Sequence, residues 1–293
     1  MVSLSARFGP VRPGSARVGS IGLDWAGYGG RGSLTMVLRT TVRDCLFLNW
    51  ALPASALPPL PEPLRYELHP ADGAEWGFAS ALLFFQESLR LRALPFVKIS
   101  FPELNLRYLV TDDDGLPAVF FRRMYVPAWV IPAARLVGRQ PVRPARMSFP
   151  RPSQDPEAGS WSWTVGGSNG LVITAERGAP RPGPGPRFSS WEETVRYFRE
   201  RRRGYAEAGG GLRRIETTQP RIEVWPVRAE LSDPGPVARD LGLADAEAAA
   251  GPEIHSLHSI HSSWLCPEIP MIFHTAPVLP AEEPVRRSVP AAG

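Results

Sequence analysis

"FPELNLRYLV", residues 101–110, alternates with a period of two: Leu104, Leu106, Tyr108 and Val110 share one side, Glu103, Asn105 and Arg107 the other. That pattern predicts a β-strand, and the fold turns on where its polar side points. Facing water, the three residues form an ordinary solvated sheet surface, which pattern alone favours. Facing the inside of a closed sheet, they are an acid, an amide and a guanidinium on a pocket wall. Neighbouring segments argue for the second. "ALLFF" (81–85) and "AVFF" (118–121) have no polar side, as expected of strands covered on both faces. Barrels too large to be filled by apolar side chains tend to hold polar or ligand-binding interiors.

Further strand signals flank this stretch. "TDDDG" (111–115) is an acidic turn ending in Gly and predicts a hairpin between 101–110 and "LPAVFFRRMYV" (116–126). "GGSNG" (166–170) predicts another between "SWSWTV" and "LVITAER". "RIEVWPVRAEL" (221–231) reads as a strand in which Pro226 demands an edge or a bulge. The clearest helix is "SSWEETVRYFRERRRG" (189–204). Ser190 is its N-cap, Glu193 completes a capping box, Trp191, Val195 and Phe198 form an apolar stripe, and Gly204 follows a basic last turn. "AWVIPAARLVG" (128–138) is a second candidate, with Pro132 in its first turn, and "VARDLGLADAEAAA" (237–250) a third, short and exposed. We expect one β-rich domain over residues 36–275. Residues 1–35 lack apolar periodicity and read as a disordered tail or, the reading we favour, as sequence ahead of a true start at Met36; residues 276–293 read as a Pro-rich tail.

Composition narrows the function classes. Among 33 basic residues, Lys98 is the one lysine, and the formal net charge is +4. The arginines are scattered apart from Arg199, Arg201, Arg202 and Arg203, which we place at a helix C-terminus where the dipole favours them, so nucleic-acid binding is not expected. No long apolar run predicts a membrane span, and no signal peptide or disulfide pattern is evident, so a cytoplasmic protein with free Cys45 and Cys266 and no membrane partner is expected. His255, His258 and His261 are spaced by three, which matches neither a strand face nor a metal-binding helix pair; hydrogen-bonded or surface histidines are expected, with no metal and no cofactor. Lys98 is expected to snorkel into water from a strand end.

Taken in order, "CLFLNWALPASALPPLPEPLRYELH", "WGFASALLFF", "FPELNLRYLV" and "GLPAVFFRRMYVPAWVIPAARLVGRQPVRPARMSF" resemble the YqjF-like bacterial proteins, an uncharacterised family of the acetoacetate-decarboxylase-like superfamily. The resemblance implies a mainly β (α+β) fold: a curved antiparallel sheet closing into a cone-like barrel around a pocket, with a few peripheral helices. It also implies that "GRQPVRPARM" stands where the decarboxylases carry their Schiff-base lysine and its neighbour; here those positions are Val142 and Arg143. A guanidinium cannot replace the amine, because its pKa stays above about 12. Glu103 corresponds to an acidic pocket residue of the decarboxylases. Three readings stay open. The barrel binds a small carboxylate or keto/enol compound held by Asn105, Arg107, Arg143 and Arg146; it is an enzyme with Glu103 as general acid or base on a keto or hydroxy acid; or it is a ligand-free scaffold.

Overall fold

The computed structural model describes residues 36–137, 141–166, 170–178, 185–208, 210–220, 222–233, 235–243 and 259–280, all within one compact unit, Ser33–Gly293. The expectations for residues 1–35 and for His255 and His258 fall outside the described residues. In chain order the strands are β1 (Met36–Pro53), β2 (Arg65–Tyr66), β3 (His69–Ala71), β4 (Ala74–Leu91), β5 (Ile99–Thr111), β6 (Pro117–Val126), β7 (Val142–Pro144), β8 (Met147–Ser148), β9 (Ser160–Val165), β10 (Leu171–Arg177), β11 (Arg203–Ala208), β12 (Gly211–Thr218), β13 (Trp225–Leu231) and β14 (Ser262–Pro280). Among the described residues the α-helices are short: α1 (Ile131–Val137), α2 (Trp191–Arg199) and α3 (Gly235–Leu241).

Strand pairing closes on itself. The order β1-β4-β5-β6-β11-β12-β14 is completed by β14 returning to β1, from Met36↔Thr275 to Asn49↔Ser262. The pairs in this ring are antiparallel except β6–β11, which is parallel. A smaller antiparallel layer, β8-β9-β10-β13, joins the ring where β13 meets β14 at Trp225 and Pro226. Pro226 thus sits where the strand passes from one layer to the other, as a residue without an N–H must sit at an edge or a break. β14 runs to Pro280, so residues 276–280 of the expected tail are strand.

Bending 18-residue strands round a ring takes local defects. β1 shifts register between Arg43 and Leu46, where Asp44 has φ 52°, and β4 shifts between Gln86 and Leu89, where Ser88 has φ 55°. Such bulges add twist and re-aim side chains. The Asp44 carboxylate holds its bend by accepting the Ser153 N–H at 2.8 Å.

Both faces of β5 are buried. Leu104, Leu106, Tyr108 and Val110 pack outward against Trp163, Ile173, Val227 and Leu241 of the second layer and α3. Each such residue is worth about 1.5–3 kcal/mol in transfer free energy. The Tyr108 hydroxyl donates to the Leu241 carbonyl at 2.6 Å. α3 is therefore a core helix and not the exposed one expected, with Val237, Ala238 and Leu241 buried. The inner face of the ring holds a second cluster that includes Phe47, Leu82, Phe84, Leu109, Trp264 and the α2 residues Val195 and Phe198.

α2 begins as its sequence predicts, with the Ser190 hydroxyl accepting the Glu193 N–H at 3.1 Å. The Glu193 carboxylate reaches back one residue further than a standard capping box, to the Ser189 N–H at 2.8 Å. Its end differs from expectation. The helix stops at Arg199, and Arg203 and Gly204 belong to β11. Part of the basic run is where it is expected, with Arg199 in the last turn of α2 and Arg201 Nε donating to the Tyr197 carbonyl at 2.9 Å. Carboxylates hold the rest, Arg201 also pairing with Glu67, and Arg203 with Asp112 and Asp114 at 2.7 and 2.6 Å. Gly204 is needed for closeness, since a Cβ there would lie 2.5 Å from the Phe121 ring.

Candidate functional site

The TDDDG hairpin fixes the frame. Asp112 Oδ1 accepts the N–H groups of Asp114 and Leu116 at 3.1 and 2.9 Å, and Gly115 has φ 72°. The register it sets aligns Leu104 with Tyr125 and Asn105 with Met124, then shifts by one between Leu106 and Arg107. The polar side of β5 consequently faces the ring interior: Glu103, Asn105 and Arg107 are 5%, 6% and 8% exposed.

Their surroundings differ along the strand. Glu103 and Asn105 line a cavity of about 260 Å³, near the roughly 300 Å³ at which small-molecule sites begin. Phe84, Phe121, Met124, Ile215 and Phe273 are part of its largely apolar wall, with Gln86, Thr217 and Thr275 adding polar groups. It opens between the 92–98 loop, through Leu94 and Val97, and the start of α1, through Val130, Ala133 and Ala134. Arg107 lies beyond the cavity, further along β5. Its Nη2 donates to the Phe198 carbonyl at the end of α2 at 3.3 Å, and its guanidinium stands 5.7 Å from the Phe47 ring centroid. α2 and the aromatic cluster fill that part of the interior.

At the polar end of the cavity the hydrogen bonds are ordered. The Thr40 hydroxyl donates to Gln86 Oε1 at 2.7 Å, which turns the Gln86 amide so that Nε2 donates to Glu103 at 3.2 Å. Asn105 also hydrogen-bonds the Glu103 carboxyl, while its own Oδ1 is buried without a partner among the protein groups. Burial dominates the electrostatics and pushes the Glu103 carboxyl up to about 7, against the smaller stabilising pull of the two amides. At neutral pH Glu103 exchanges between donor and acceptor, next to an open acceptor on Asn105. Burial also pulls Arg107 down, to about 10, which leaves it charged at pH 7.

The other residues singled out in the sequence lie elsewhere. Arg143 is exposed on the outside of β7 and its Nη1 is 3.7 Å from Asp240. Arg146 is exposed too, and neither it nor Arg143 lines the cavity. Alternation along β7 is the reason: Val142 points into the cavity, so Arg143 must point out. The side chain that this stretch turns inward is thus an isopropyl group. Lys98, the single lysine, is exposed in the loop before β5 and outside the lining. Of the lining residues, Arg90 alone carries a fixed positive charge.

His261 is a core histidine. Its Nε2 donates to the Pro186 carbonyl at 2.8 Å among Phe78, Phe188 and Phe198, and burial pulls its pKa down, so the ring is neutral. Cys45 and Cys266 are buried and free, in register across β1 and β14; burial pushes Cys266 up to about 12 and Cys45 well above its ordinary value, so both are unreactive thiols. Sequence reading did not find Gln86 or Thr40, the pair that orients Glu103. Both sit on strands far off in sequence, and a lone Gln in an apolar run was the available signal.

Comparison with known proteins agrees with this architecture. Residues 39–259 match the model of the DUF2071 family, described as "Uncharacterized conserved protein (COG2071)". No functionally curated protein matches the chain. Among solved structures, the enduracididine biosynthesis enzyme MppR with HEPES buffer bound is 12% identical, with a TM-score of 0.54 over 86% of this chain and 90% of that one. An acetoacetate decarboxylase-like enzyme from Sphingomonas wittichii RW1 is 14% identical, with a TM-score of 0.51 over 83% of this chain and 94% of that one. These identities establish a shared fold and nothing about activity. The chain belongs to the DUF2071 family and has the acetoacetate-decarboxylase-like fold.

Proposed function

We propose that the barrel binds a small, mainly apolar keto or enol compound, with Glu103 and Asn105 holding its oxygens. One observation carries this reading: a buried carboxyl with no cation beside it, pushed up to about 7, set at the polar end of an otherwise apolar cavity. In its neutral form Glu103 donates to a carbonyl oxygen, and Asn105 Oδ1 accepts from an enol or hydroxyl proton. A carboxylate is a poorer guest, because Arg107 is engaged beneath α2 and Arg143 and Arg146 lie outside. With no lysine in the lining, Schiff-base chemistry has no amine.

Binding of an open-chain 1,3-diketone, which stays neutral and partly enolic across this range, followed by calorimetry across the Glu103 midpoint of about 7, tests this. Affinity is expected to fall as pH rises through the midpoint. Glu103→Ala should lower it by roughly fivefold to tenfold, the worth of about one hydrogen bond, and Glu103→Gln should keep binding but lose the pH dependence. Absence of binding, or equal binding by Glu103→Ala, defeats the reading. The same carboxyl favours an enzymatic alternative, because a base that titrates near 7 is suited to removing a proton alpha to a carbonyl. Deuterium exchange into a simple ketone in D2O, abolished by Glu103→Gln, would establish it.

A further inference from the structure

Leu94, Phe96, Val97 and Trp129 are 44%, 77%, 52% and 58% exposed, an unusual display of large apolar side chains on one region of the surface. They surround the cavity opening. Leu94 and Val97 line it directly, and Trp129 packs edge-on against Phe101, another lining residue, with 6.1 Å between ring centroids. The 92–98 loop is an ordered projection: Leu94 N–H bonds the Leu91 carbonyl at 3.1 Å, Val97 N–H the Leu94 carbonyl at 3.2 Å, and Arg92 N–H the Val37 carbonyl at 2.8 Å.

The charge along this projection has one sign. Arg90, Arg92 and Lys98 flank the apolar tip, and no acidic residue occurs from Ser88 to Pro102. On β1, Arg39 stands in register with Arg90. Like charges directly opposite on neighbouring strands cost stability unless an anion sits nearby. Elsewhere this protein pairs its arginines: Arg43 with Glu87 and Glu268, Arg201 with Glu67, Arg203 with Asp112 and Asp114. Arg39, Arg90, Arg92 and Lys98 are in no comparable ion pair among the described residues.

We infer that this face docks on an anionic lipid bilayer, with Phe96, Val97, Leu94 and Trp129 entering the interface and Arg39, Arg90, Arg92 and Lys98 meeting the headgroups. Aromatic and aliphatic side chains at a projecting tip, ringed by cations, suit a water–hydrocarbon boundary. The chain's own first 35 residues are mismatched as a cover, since they carry four arginines against one aspartate. Among the described residues no helix is long and apolar enough to cross a membrane, so the association is peripheral. It stands independently of the ligand reading, although a cavity that opens at the membrane contact could receive an apolar compound without its passing through water.

Co-sedimentation of the full chain with vesicles of phosphatidylcholine alone, or with phosphatidylglycerol added, tests the inference. Binding is expected with the anionic vesicles only, weakened by high salt. Phe96→Ser should reduce partitioning by at least about tenfold, and each of Arg92→Glu and Lys98→Glu by about fivefold or more. All three residues are exposed, so the variants should fold, which circular dichroism checks. No binding to anionic vesicles, or binding unchanged in these variants, overturns the proposal. So does self-association in sedimentation velocity that Phe96→Ser abolishes without any vesicle binding, which would identify a second copy of the chain as the occupant.

Discussion

Glu103 and Arg107 lie four residues apart on one face of one strand, and the fold treats them in opposite ways. Both are buried, and neither has an oppositely charged partner in direct contact. Glu103 has an unfilled cavity in front of it and two amides beside it. Arg107 has α2 in front of it, with a carbonyl and an aromatic ring to cover the guanidinium. The carboxyl answers desolvation by taking a proton near neutral pH; the guanidinium, whose intrinsic pKa is far higher, remains charged and is packed in place. Burial of a polar strand face is therefore insufficient to mark a site. What distinguishes the two is the free volume ahead of the side chain and whether the group can change its charge.

The largest effect should come from breaking the packed half. Arg107→Ala removes a long buried side chain and leaves the Phe198 carbonyl without its donor, for an expected loss of about 2–4 kcal/mol in denaturant unfolding. Arg107→Met, which keeps the volume, should cost much less, because the desolvation of an unpaired charge disappears with it. Equal losses in the two variants would mean that the charge itself is needed.

Next comes the open half, with the opposite sign. The folded pKa of Glu103 is above its unfolded value of 4.5, so the native state keeps a proton that the unfolded state releases. Its contribution to stability is then intact below pH 4.5, falls as pH rises toward about 7, and stays low above that. At about 1.4 kcal/mol per pKa unit, Glu103→Gln should raise stability at pH 8 by an amount on the order of 3 kcal/mol and leave it unchanged at pH 4. A thermal-unfolding series of both proteins across this range reads the difference directly; parallel curves would contradict the raised pKa.

Smallest of all is the surface control. Arg143→Ala breaks a 3.7 Å contact between Asp240 and a side chain that is 54% exposed, and should change stability by less than about 0.5 kcal/mol. Diketone affinity should not change. A large loss of affinity would place Arg143 in the site after all.

How much of this was readable beforehand follows from the range of the interactions. The Asp112 turn, the Ser190 cap and the amphipathic stripe of α2 are local, made by residues within four or five positions, and the sequence pattern predicts them correctly. The orientation of β5 depends on a ring that closes only when β14 meets β1, and no local pattern encodes that; the family resemblance supplied it. Within the basic run at 199–203, Arg199 and Arg201 do sit at the end of α2 as the local pattern predicts, whereas the place of Arg203 in β11 depends on Asp112 and Asp114, far away along the chain. Arg143 reads as a ligand residue only through the resemblance of its neighbourhood to the decarboxylases, and a strand three residues long decides by parity that Val142 faces in and Arg143 faces out.

The pairing of β1 with β14 also constrains how the molecule forms. These strands begin 226 residues apart, so the last seam of the ring joins the two segments most distant in the described sequence. Contacts of such high sequence separation form late and slowly. During synthesis β1 pairs with β4 soon after both emerge, but its other edge waits, with hydrogen-bonding groups unmatched, until Ser262–Pro280 has left the ribosome. A long apolar strand edge left open for that interval is a template for wrong partners. The seam sets a period of vulnerability to aggregation in the nascent chain, and stalling translation before residue 262 should trap the protein inside it.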